Sequence, residues 1–73
     1  MKKTFIFAGQ KITRREDFTW EVIQEEVRLR LNNRADEFVA EGGTMTNEIL
    51  QKMLDEVTES VIADIDAWAR QAE

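Results

Sequence analysis

The sequence predicts an α+β fold: a short N-terminal β-hairpin followed by two antiparallel α-helices, with the helices completed into a four-helix core by a second copy. Three observations lead there. Residues 4–8 (TFIFA) are rich in aromatic and β-branched side chains; apolar residues then recur every three or four positions over residues 20–38 and again over 50–68; and Gly42-Gly43 stands between the two series. Strands favour the first kind of composition, amphipathic helices impose the second spacing, and glycine supplies the left-handed conformation just past a helix end.

Residues 4–8 read as a strand, Gly9-Gln10 as a turn, and residues 11–14 (KITR) as the returning strand. Two strands alone are marginal in water, so the hairpin has to pack on something. Alternation puts Phe5 and Phe7 on one face, expected to dock on the helices, with Ile6 on the other side or against a partner.

The first helix is expected from the stripe Trp20, Ile23, Val27, Leu31, Ala35 and Phe38, with Asp17 or Thr19 as its N-cap and Gly42-Gly43 as its end. Thr44 or Thr46 then caps a second helix carrying Leu50, Met53, Leu54, Val57, Val61, Ile65 and Trp68 at the same spacing. Glu48 in its first turn and Arg70 in its last suit the helix dipole, and Glu48 with Lys52 forms an i,i+4 pair in the better orientation. At ~1.5 Å per residue each helix is roughly 35 to 40 Å long, and the short connection makes them antiparallel. Trp20 and Trp68, which fall on these stripes, are read as core residues, and the three methionines as gap-fillers in the core or the dimer seam.

With 73 residues the chain is one small domain, residues 1–73, near the size at which apolar burial barely offsets conformational entropy. It has no Cys and no His, which removes disulfides and structural zinc as supports. Oligomerisation remains, and a homodimer is expected with Leu50, Met53, Val57 and Val61 in its seam. The apolar run after MKK is too short for a signal peptide, and nothing approaches the roughly 20 apolar residues of a membrane span, so a cytoplasmic protein without membrane contact is expected.

Charge is polarised. Residues 1–34 carry eight Lys/Arg and five Asp/Glu, a balance of +3, whereas residues 35–73 carry two and ten, a balance of −8. A chain of this kind can still offer a basic face despite its net charge of −5. Without His, Cys or Tyr most nucleophile and general-base constellations cannot be built, and no phosphate-binding glycine motif occurs. Carboxylate pairs such as Glu25-Glu26 and Glu56/Glu59 lack the histidines of di-metal bundles. The expectation is a non-enzyme with no cofactor and no metal.

Residues 27–31 (VRLRL) admit two readings, the middle of a long helix or a strand with Arg28 and Arg30 on one side. As a strand followed by GGTMTNEILQKMLDE, the segment resembles ribbon-helix-helix repressors of the phage Arc type over about residues 26–58. Gly42, Thr44, Glu48, Ile49, Met53 and Leu54 stand where that family favours glycine, a hydroxyl, an acid and core aliphatics. The resemblance implies a two-stranded ribbon in a dimer, Arg28 and Arg30 contacting bases, and the backbone at Thr44 and Met45 against a DNA phosphate. The helical reading is preferred, because its stripe runs for nineteen residues, 20–38, and the alternation for only five.

On the preferred reading the second helix turns Asp55, Glu56, Glu59 and Asp66 outward, with Asp36, Glu37 and Glu41 on the preceding segment. Such a ladder imitates the charge of a nucleic-acid backbone, as small acidic phage inhibitors do. The expected function is a non-catalytic regulatory or inhibitory protein-binding module, encoded by a phage or another mobile element, acting as a dimer through this acidic face. The alternative is a DNA-binding ribbon-helix-helix repressor using Arg28 and Arg30.

Overall fold

The computed structural model describes residues 4–72; Met1, one of the three methionines read above as core or seam residues, lies outside them. The elements in order are β1 (Phe5–Phe7), β2 (Gln10–Ile12), a single 3-10 turn (Arg15–Asp17), α1 (Trp20–Ala40) and α2 (Asn47–Ala72). A two-stranded antiparallel hairpin thus precedes two helices, as the sequence predicts.

The hairpin pairs Phe5 with Ile12, Ile6 with Lys11 and Phe7 with Gln10. Its turn is Ala8-Gly9, one residue earlier than expected. Both residues have positive φ, +53° and +76°, as a type I′ two-residue turn demands. For Ala8 that conformation costs about 1 to 2 kcal/mol through the Cβ clash. A tertiary bond selects it, since the Ala8 N–H donates to Glu26 Oε1 on α1 at 2.8 Å. With this register Phe5, Phe7 and Ile12 face inward and are buried, while Ile6 is 60 % exposed.

Between β2 and α1 the chain reverses around Asp17. Its Oδ2 accepts the backbone N–H groups of Thr13 and Arg14 at 2.9 and 3.0 Å and the Thr13 hydroxyl at 3.1 Å. Thr19 caps α1, its side-chain oxygen accepting the Val22 N–H at 3.2 Å. Phe18 just before the cap and Ile23 one turn later pack against the same core cluster, the arrangement of a hydrophobic staple.

Trp20, expected in the core, is 71 % exposed. The reason is that Phe18 occupies the site: its ring meets Phe7 edge-on at 5.3 Å and Trp68 edge-on at 5.0 Å. Trp20 opens the helix beyond that stack and turns away from it.

α1 ends in a Schellman turn, with the Gly42 N–H donating to the Val39 carbonyl and the Gly43 N–H to the Phe38 carbonyl, both at 3.0 Å. Gly42 takes φ +94°, and a Cβ on Gly43 would come within 2.5 Å of the Phe38 ring. Thr46 then caps α2 by accepting the Ile49 N–H at 3.2 Å.

Residues 27–31 lie in the middle of α1, so the ribbon strand required by the ribbon-helix-helix resemblance does not form. The helical stripe prevails because it is buried against α2 and the hairpin: Val27 packs on the core cluster and Leu31 is half-buried. That cluster comprises Phe5, Phe7 and Ile12 from the hairpin, Val22 from α1 and Val61 from α2. Met53 and Val57 extend the buried layer along α2.

Candidate functional site

The residues expected to bind a partner lie on α2, whose two sides differ sharply. Met53, Val57 and Val61 fall on its inner side and are 9 %, 2 % and 1 % exposed. On the other side Asp55, Glu59, Ile62 and Asp66 follow one another at intervals of four, three and four residues, which places them along one stripe. All four are exposed, Ile62 at 59 %. Among the described residues Asp55 accepts only the Gln51 side-chain amide, at 3.3 Å, and Asp66 faces Arg70 at 3.9 Å with both side chains mostly in solvent. Glu59 has no hydrogen-bond or ion-pair partner among the described residues.

Glu56, grouped with these acids in the sequence, stands apart. It pairs with Arg34 of α1 at 2.8 Å and belongs to the seam between the helices. Asp36, Glu37 and Glu41 are exposed on the second half of α1 and the turn after it.

Three of the four residues expected in a dimer seam are used inside the single chain. Met53, Val57 and Val61 are covered by the chain's own helices and hairpin, and only Leu50, 40 % exposed, is left at the surface. The sequence pattern marks an apolar stripe, but it does not say which neighbour covers it.

The residues of the DNA-binding reading separate in the same way. Arg28 is 58 % exposed on its side chain and pairs with Glu25 three residues before it. The guanidinium hydrogen bond lowers the Glu25 pKa, and the same bond raises that of Arg28. Arg30 is drawn into the protein, with Nε on Glu26 Oε2 at 2.6 Å, Nη1 on Ser60 Oγ at 2.9 Å and Nη2 on Asp64 Oδ2 at 2.7 Å. Its guanidinium carbon also lies 5.5 Å from the centre of the Phe7 ring. Burial opposes the charge on Arg30, yet the bonds to Glu26 and Asp64 outweigh it and raise the pKa further above the usual arginine value. Thr44 is exposed in the connection, two residues before the true cap Thr46. Of these positions one arginine faces solvent, the other is engaged within the fold, and Thr44 lies exposed in the connection.

The network around Arg30 is the main feature that sequence reading missed. Glu26 accepts from the hairpin turn through one oxygen and from Arg30 through the other, and Arg30 continues to Ser60 and Asp64, so one polar chain ties β-turn, α1 and α2 together. The Glu26/Arg30 spacing of four was a legible signal. Its continuation across 34 residues to Asp64 needed the helix register.

Among the described residues no three or more acidic side chains converge as metal ligands, and no helix is long and apolar enough to cross a membrane. The chain matches no family model, no curated protein sequence and no solved structure.

Proposed function

We propose that this chain is a non-catalytic protein-binding module, regulatory or inhibitory in role, that presents the outer stripe of α2 to a basic surface on another protein. The observation that carries the reading is the idle state of that stripe. Asp55, Glu59 and Asp66 contribute little or nothing to their own fold, whereas the opposite side of the same helix is fully occupied. Ile62 adds an apolar contact in the middle of the row. A charged rim around an apolar anchor favours rapid, selective encounter with a positively charged groove. The dimensions and charge are those of small acidic phage inhibitors, and action in the cytoplasm of a phage-infected or mobile-element-bearing cell is part of the proposal.

The test is capture from native lysate, with and without nuclease, using the unmodified protein and a triple variant, Asp55→Asn with Glu59→Gln and Asp66→Asn. These changes keep shape and remove charge. A protein partner that survives nuclease treatment and is lost with the triple variant supports the reading. Retention of that partner by a folded triple variant overturns it.

A further inference from the structure

We infer that the basic surface met by the α2 stripe is an amphipathic helix of the partner, seated along the shallow groove between α1 and α2 on the side turned away from the hairpin. The inference rests on the reading of the stripe given above and adds what lies beside it.

The stripe is one rim of that groove. Ser60 and Asp64 both reach Arg30, which lies over Phe7 of the hairpin. Thr58 and Ile62 each lie about 160° around α2 from Ser60, and so away from the hairpin. Ala35 and Val39 stand in the same relation to Arg30 on α1, at about 140° and 180°. The ion pairs Arg30–Asp64 and Arg34–Glu56 fix the antiparallel register, which sets Leu31 level with Ile62, Ala35 with Thr58 and Val39 with Leu54. Leu31, Ala35, Leu54 and Thr58 are half-buried and form the floor; Val39 and Ile62, 54 % and 59 % exposed, stand at its two edges. The Thr58 hydroxyl donates to the Leu54 carbonyl at 2.8 Å, so it adds no unsatisfied donor to the floor.

Acids border this floor on both helices. Asp55, Glu59 and Asp66 follow α2 just beyond Ile62, and Asp36 is exposed on α1 beside Ala35, on the side away from α2. Arg28, on the same side of α1, is already held by Glu25, and the pair is neutral.

Charge and shape together name the occupant. A second copy offering this face would set acids against acids whichever helices met, whereas an apolar ridge with cations on both flanks complements every part of the groove. An amphipathic helix builds such a ridge from residues at i, i+3 or i+4, and i+7, with Lys or Arg on either side. A strand does not, because its alternate side chains point to opposite faces. The acids from Asp55 to Asp66 span about 16 Å, so a helix of about three turns fills the groove.

Two synthetic peptides of about 14 residues, added to the unmodified full chain, test the inference. One carries Leu at helical spacing and Lys at the remaining positions; the other has the same composition in an order that leaves no apolar side. By calorimetry the amphipathic peptide is expected to bind at least about tenfold more tightly than its scrambled form, and circular dichroism is expected to show it gaining helix on binding. Amide shifts of the labelled protein should move at Leu31, Ala35, Val39, Leu54 and Ile62, and not at Ile6 on the hairpin. Val39→Gln changes an exposed residue of α1 that lies outside the α2 stripe and keeps helix propensity; it is expected to weaken the peptide complex by about tenfold. Equal affinity for the two peptides, binding without helix formation, shifts centred elsewhere, or a folded Val39→Gln protein that binds unchanged overturns the inference, as does a dimer in sedimentation that closes over Val39 and Ile62. The two readings fail separately. A native partner lost with the Asp55/Glu59/Asp66 triple variant but kept by Val39→Gln leaves the acidic stripe standing and removes the helix from the groove; a partner kept by the folded triple variant removes both.

Discussion

Arg30 and Asp64, 34 residues apart in sequence, meet at 2.7 Å, and the same guanidinium holds Glu26 and Ser60 while lying over the Phe7 ring. One side chain therefore joins both helices to the hairpin. With 24 % of its side chain exposed, it is shielded enough for the network to contribute measurably, unlike an ion pair in open solvent.

Arg30→Ala is expected to destabilise the fold by about 2 kcal/mol, because Glu26 and Asp64 lose their partner together. Arg28→Ala, which breaks only an exposed pair with Glu25, is expected to change stability by less than about 0.5 kcal/mol. Urea denaturation followed by circular dichroism distinguishes the two; equal effects would show that the network contributes nothing beyond surface charge.

Asp17 gives a pH dependence of definite sign. The Thr13 backbone N–H, then that of Arg14, favour the ionised carboxylate against opposing desolvation; the Thr13 hydroxyl and the Arg14 guanidinium add to them, and the pKa falls from 3.8 to about 2. A depressed folded-state pKa means that the contribution is fully present above the unfolded-state value and is lost as pH falls through the folded-state value. Stability is therefore expected to decline between about pH 4 and pH 2 through this group. Asp17→Asn should flatten the Asp17 share of that decline, read as the difference between the two denaturation series.

The turn residue Ala8 is held at φ +53° by the bond from its N–H to Glu26. Replacing it with Asn, which tolerates the left-handed region and is favoured in type I′ turns, is expected to raise stability by roughly 0.5 to 1 kcal/mol. The thermal midpoint should rise, and a fall would show that packing of the Ala8 methyl on the core outweighs the relief.

Adjacent strand residues should differ most of all. Phe7→Ala opens the centre of the core at a residue 1 % exposed and is expected to cost about 3 to 5 kcal/mol, enough to unfold a domain of this size. Ile6→Ala, at 60 % exposure, should leave a folded chain. Amide dispersion in NMR spectra reports both outcomes.

Local signals carried the secondary structure. The positions of Phe5 and Phe7, the Thr19 and Thr46 caps and the diglycine terminator are all decided by residues within a few positions of one another, and such patterns are legible in a sequence. Two features are decided by distant residues. Trp20 fits the α1 stripe, but Phe18 takes the core site through Phe7 and Trp68, an outcome that requires knowing where α2 ends. Likewise Val57 and Val61 mark an apolar face without revealing that their own chain covers it. Of the candidate site, the acidic spacing was legible; the diversion of Glu56 to Arg34 depended on helix register.

The aromatic stack from Phe7 through Phe18 to Trp68 has a consequence for synthesis. A growing chain leaves the ribosome with the hairpin first, and α1 can form behind it as soon as its caps emerge. Val61, Ile65 and Trp68, which close the cluster around Phe7, come last. Until they clear the exit tunnel, the inner side of the hairpin has only half of its packing partners and its apolar residues stay open to water, to chaperones and to neighbouring nascent chains.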